Sequence, residues 1–121
     1  MNKPYHAILL DTEFKNPDFI NKWKLLGKKK SSTNPWWQLK VEVPEKQLEE
    51  LLNEGQKSLL NDKFYFHVYR DNELIFVFPK RIFHLNPNRS DLQKFIAYGR
   101  LLGIPEDQLD IKIVKFSEET Y

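Results

Sequence analysis

Residues Phe64 to Leu85, FYFHVYRDNELIFVFPKRIFHL, hold two aromatic-rich runs on either side of the polar pair Asp71 and Asn72. Aromatic and β-branched runs favour strands, and a two-residue polar break between them marks a hairpin. With that pair as the loop, Arg70 faces Glu73, Tyr69 faces Leu74, Val68 faces Ile75, His67 faces Phe76 and Phe66 faces Val77. The Arg70/Glu73 pair adds an opposite-charge cross-strand contact of ~0.2–1 kcal/mol, which serves register more than stability. Pro79 cannot donate to a ladder, so the second strand ends there. Arg81 to Leu85 then folds back as a third, with Phe83 beside Phe76 and His84 beside Ile75.

Side chains alternate across a strand, so one face of this meander collects Phe64, Phe66, Val68, Ile75, Val77 and Ile82. The other collects Tyr65, His67, Tyr69, Leu74, Phe76, Phe78 and Phe83. Both faces are apolar, whereas a sheet open to water on one side alternates apolar and polar residues. The meander is therefore covered on both faces, or it offers one to a partner.

Elsewhere Tyr5 to Leu10 reads as a strand and Pro17 to Leu26 as a short helix with Phe19, Ile20, Trp23 and Leu26 on one face. Gly27 to Pro35, GKKKSSTNP, has the composition of a mobile basic loop. In the strand that follows, Trp37, Leu39, Val41 and Val43 alternate with Gln38, Lys40 and Glu42, a half-buried pattern. Pro44 suits a helix's first position, with Leu48, Leu51 and Leu52 as the apolar stripe of Glu45 to Asn53 and Gly55 as a stop. Ser90 and Gln93 form a capping box for a second helix whose inner face is Leu92, Phe95, Ile96, Gly99 and Leu102, ended by Gly103 and Pro105. Ile111 to Phe116 reads as a last strand. This order predicts a single α+β domain: a sandwich with a mostly antiparallel sheet, two main helices and a short N-terminal one.

A chain of 121 residues with 40% hydrophobic and 14% aromatic residues suffices for one core. Its apolar runs fall far short of the ~20 residues that span a bilayer, and residues 1 to 12 lack the apolar centre of a secretory signal, so no membrane association is expected. The absence of cysteine removes disulfides and thiolate zinc sites, and the simplest address is cytoplasmic. Charge is uneven. Residues 1–40 carry eight Lys and three acids, against eleven Lys/Arg and fourteen acids in 41–121. Lys22, Lys24, Lys28, Lys29 and Lys30 concentrate the excess, and such a block attracts phosphates or other anions.

Four constellations are candidates for chemistry. Ile8 to Phe14, ILLDTEF, delivers Asp11 and Glu13 from the end of a strand. Over these seven residues it resembles the first motif of the DEDD family of 3′ to 5′ exonucleases, which implies a divalent-metal site at Asp11 and Glu13 completed by further carboxylates. His67 and His84 lie on opposite faces of the meander and cannot share an ion, so His67 reads as structural within an aromatic cluster. Tyr65, His67, Tyr69, Phe76 and Phe78, near Lys80, Arg81 and the lysine block, match the stacking platform with cationic rim that binds single-stranded nucleic acid. In Asn34 to Trp37, NPWW, Trp37 is expected in the core, with Trp36 freer to anchor a partner.

No glycine-rich phosphate loop, Gly-x-Ser-x-Gly elbow or His-Glu-x-x-His occurs. The reading is a non-enzymatic protein-interaction module without a cofactor, binding a protein partner or itself. Single-stranded nucleic-acid binding is the alternative, and metal-dependent nuclease activity a distant third.

Overall fold

In the computed structural model, which describes residues 3–16, 18–30 and 36–109, the two aromatic runs and Arg81–Leu85 form one half of a six-stranded antiparallel sheet. The strands are β1 Tyr5–Leu10, β2 Lys24–Lys30, β3 Trp37–Val43, β4 Phe66–Arg70, β5 Glu73–Phe78 and β6 Arg81–Leu85. They lie in the order β2-β3-β1-β4-β5-β6. Every pairing expected for the meander is present, from Arg70 opposite Glu73 to Phe76 opposite Phe83 and Ile75 opposite His84. Among the described residues no non-glycine has a positive φ, so both hairpins turn without left-handed backbone.

Helices cover both faces of the meander, the first of the two outcomes its apolar faces allow. On one side α2, Leu48–Ser58, buries Leu51 and Leu52 against Phe66, Val68, Ile75 and Val77, and α1, Asp18–Asn21, adds Phe19. On the other, α3, Arg89–Leu101, and α4, Glu106–Leu109, set Leu92, Phe95 and Leu109 against Tyr69, Leu74, Phe76, Phe78 and Phe83. The result is an α+β arrangement, as expected, with the sheet between two hydrophobic clusters.

Several local expectations are corrected. The helix expected over Pro17 to Leu26 is only α1, because residues from Lys24 onward pair with β3. Gly27 to Lys30, read as part of a loop, stand in β2 for the same reason: β3 supplies hydrogen bonds that composition does not reveal. The rest of that segment, 31–35, and the strand expected over 111–116 lie outside the described residues. Lys40, on the polar face of β3, is buried, so that strand is not half-open to water there. A 3-10 turn, Glu45–Gln47, follows Pro44, and α2 continues beyond Gly55. Asn88, not Ser90, caps α3: its side chain accepts from the Asp91 amide at 2.8 Å, and the Asp91 carboxylate accepts from the Asn86 amide at 2.8 Å. Gly103, at φ 81°, closes that helix as expected.

Gly55 is a contact, not a stop. A Cβ there would lie 2.5 Å from Cζ of Phe66 and 3.0 Å from Cζ of Phe19. Gly55→Ala is therefore expected to lower stability by about 1–3 kcal/mol in urea unfolding, because overpacking two buried rings outweighs alanine's better helix propensity. A stabilised variant would show that the α2–sheet spacing is loose.

Candidate functional site

The aromatic face proposed as a stacking platform is sealed. Phe95 of α3 stacks on Phe76 with ring centroids 3.8 Å apart and lies 5.0 Å from Tyr65 and 5.8 Å from Phe78. Tyr69, Phe76 and Phe78 are buried, and the Tyr65 hydroxyl donates to the Gln108 carbonyl in α4. Burial raises the Tyr65 phenol above its ordinary range. Bases cannot reach these rings in this fold. His67 sits between Tyr69 and Phe76, with centroids at 5.9 and 5.7 Å, and desolvation lowers its imidazole to about 4. It is a neutral member of the cluster, on the opposite face from His84, which is exposed.

Asp11 and Glu13 are each taken up by backbone amides. Asp11 Oδ1 accepts from the Trp37 amide at 3.1 Å, and the Asp11 amide donates back to the Trp37 carbonyl, tying the end of β1 to the start of β3. Glu13 is fully buried. Its Oε1 accepts from the Leu10 amide at 3.0 Å, Oε2 has no hydrogen-bond partner, and burial drives the carboxyl well above its ordinary value. Among the described residues no group of three His, Asp or Glu is placed to hold a metal. The carboxylates implied by the exonuclease-like motif are thus not assembled there, because its second acid points into protein.

The tryptophan expectation is reversed. Trp36 packs on Phe64 with centroids 5.5 Å apart, whereas Trp37 is 38% exposed. Trp37 pairs with Lys30 at the outer end of the β2–β3 ribbon, and Lys28 Nζ stands 5.3 Å from its ring centroid. Lys28, Lys29 and Lys30 are all exposed.

At the opposite edge, β6 and α3 enclose a groove of about 460 Å³. From β6 come Arg81, Phe83 and His84, and from α3 Lys94, Tyr98 and Leu101. The Arg81 guanidinium lies 4.4 Å from the Phe83 ring centroid and 5.6 Å from that of Tyr98, so cation–π contact holds it over the groove floor. Lys80 points elsewhere, pairing with Asp62 at 3.3 Å. Among the described residues no carboxylate lines the groove.

Backbone geometry adds a second feature. In a two-residue hairpin the closing pair, here Phe78 and Arg81, exchanges hydrogen bonds, and bonded and non-bonded pairs then alternate. Phe83 and Leu85 accordingly bond to β5, while the amides and carbonyls of Ile82 and His84 face outward. No further strand flanks β6 among the described residues.

Of the residues singled out from sequence as candidates for chemistry, Arg81 and His84 belong to this groove. Lys94, Tyr98 and Leu101 were missed, although Leu101 carried a signal. It falls off the α3 stripe of Leu92, Phe95, Ile96, Gly99 and Leu102, and at 82% it is the most exposed large apolar residue described. Comparison with family models, with curated proteins and with solved structures finds no match. Among the described residues no helix is long and apolar enough to cross a membrane.

Proposed function

We propose that the protein is a non-enzymatic interaction module that takes an extended, acidic segment of a partner protein as an added strand on β6. The observation that carries this reading is the pairing of outward backbone groups at Ile82 and His84 with a groove against α3 that is basic and apolar. Strand addition draws affinity from main-chain hydrogen bonds and specificity from pockets for alternate side chains. An apolar side chain of the partner fits against Ala97, Tyr98 and Leu101, and acidic neighbours meet Arg81 and Lys94. A second copy of this chain would bring the same cations to the groove, so an acidic segment of another protein suits it better than self-pairing.

The test begins with a displayed library of random extended peptides. The expected selection is for acidic sequences with alternating apolar positions. His84→Pro removes one outward amide without touching the β5 ladder, and proline is tolerated where the amide faces solvent. It is expected to weaken the selected peptides about tenfold or more, while Arg81→Glu with Lys94→Glu shifts the preference to basic peptides. Unchanged affinity in His84→Pro, with the fold intact by circular dichroism, would overturn strand addition.

A further inference from the structure

We propose that the opposite edge of the sheet carries a separate site, a single-stranded nucleic-acid surface formed by Lys28, Lys29 and Lys30 of β2 around the Trp37 indole of β3. It rests on observations independent of the β6 groove, since β2 and β6 are the two ends of the sheet.

Six of the seven residues of β2 are exposed, all but Gly27, and β2 pairs only with β3 among the described residues. Alternation sends Lys28 and Lys30 to the Trp37 face and Lys29 to the other, so cations flank the strand edge on both sides. Lys24 extends the same strand. Across the two strands the only acid is Glu42, registered opposite Lys24 at the far end from Trp37. Lys24, Lys28, Lys29 and Lys30 form no ion pair with a carboxylate among the described residues. Their charge is therefore available to an external anion, and a ribbon of unpaired lysines favours a polyanion over a single phosphate.

Trp37 decides which polyanion. Its ring is exposed and contacts a lysine cation. A base stacked on an indole gains more than an exposed cation–π contact does, so a base can displace Lys28 from the ring and leave it to a phosphate. Duplex bases offer no free face, which restricts the ligand to unpaired strands. An anionic membrane surface fits less well. The other exposed apolar side chain on this face, Leu25, registers opposite Val41, four residues from Trp37 and about 13 Å along the strand, with lysines between. An interfacial membrane contact needs a continuous apolar face instead.

Anisotropy of a fluorescein-labelled oligo-thymidine and an oligo-uridine, at low and near-physiological salt, tests the proposal. Micromolar binding is expected, with a log–log salt slope of about −2 for three phosphate contacts on a single strand. Trp37→Ala should weaken it about ten- to a hundredfold, Trp37→Tyr should restore most of it, and a triple Lys28/Lys29/Lys30→Glu variant should abolish it. These residues are exposed, so circular dichroism should be unchanged in each variant. His84→Pro should bind the oligonucleotide like the wild type, which separates failure of this site from failure of the β6 groove. No binding at low salt would overturn the proposal. So would equal binding of duplex DNA, or Trp37→Ala losing affinity for phosphatidylserine vesicles but not for the oligonucleotides.

Discussion

Phe95→Ala is expected to cost about 3–5 kcal/mol, the range for truncating a fully buried phenylalanine. Phe95 has no exposed surface and contacts Phe76, Phe78 and Tyr65 at once, so its removal opens a cavity where α3 meets the meander. Domains of this size have about 5–15 kcal/mol in total, which makes the loss a large share of what holds the fold. Urea unfolding reads it directly, with Leu101→Ala on the exposed side of the same helix as the control, expected within about 0.5 kcal/mol of wild type. A Phe95→Ala cost below about 1 kcal/mol would mean that α3 does not seal the aromatic face, and the stacking-platform reading would return.

Stability as a function of pH is expected to carry two opposed contributions. Glu13 has a raised carboxyl in the folded state, so its contribution is full below the ordinary value of 4.5 and is lost as pH rises from there. Each pH unit of that window is worth about 1.4 kcal/mol. His67 is lowered from 6.5 to about 4, so its contribution is full above 6.5 and is lost as pH falls toward 4. Because the ring keeps some surface exposure, this loss is expected at about 1–3 kcal/mol.

Between pH 4.5 and 6.5 the two slopes cancel in part, and single substitutions unmask them. Glu13→Gln keeps an acceptor for the Leu10 amide and removes the charge. It should exceed wild-type stability at pH 8, by a margin that shrinks as pH falls toward 4.5, and should weaken on acidification through His67. His67→Phe should show the reverse, gaining stability on acidification from pH 6.5. Urea midpoints across pH 4 to 8 supply the measurement. A Glu13→Gln variant that tracks the wild type throughout would show that Glu13 is solvated in the folded protein.

Local rules carried the meander. Period-two alternation, the Asp71–Asn72 pair and the Pro79 break are contacts between near neighbours, and they specified five cross-strand pairs that the structure contains. They also made both faces apolar, which called for cover on each side or a partner on one and left that choice to the rest of the fold. Helix α3 was legible for the same reason, from its stripe and its glycine stop, although the cap moved from Ser90 to Asn88 because a side chain two residues earlier reaches the same turn. Lys28, Lys29 and Lys30 defeated the same rules. Three consecutive lysines have no strand pattern of their own, and only pairing with β3, a non-local event, makes them one.

Burial followed a similar division. Glu13 looked like a metal ligand because strand-end acids usually face water, yet the segment is held by the bridge of Phe14 to Leu59 and the Glu13 side chain is fully buried. Trp37 shares its strand face with the buried Val41 and Val43, yet it stands exposed at the strand's start, because how far along a face the cover extends is settled elsewhere in the chain. The groove beside β6 exists because α3 crosses near a strand that no further strand flanks among the described residues. Neighbours along the chain were enough to specify which residues pair within the meander and that both of its faces are apolar. Tertiary structure alone decided which cations, which tryptophan and which sheet edge stay exposed, because exposure is set by what distant segments leave uncovered.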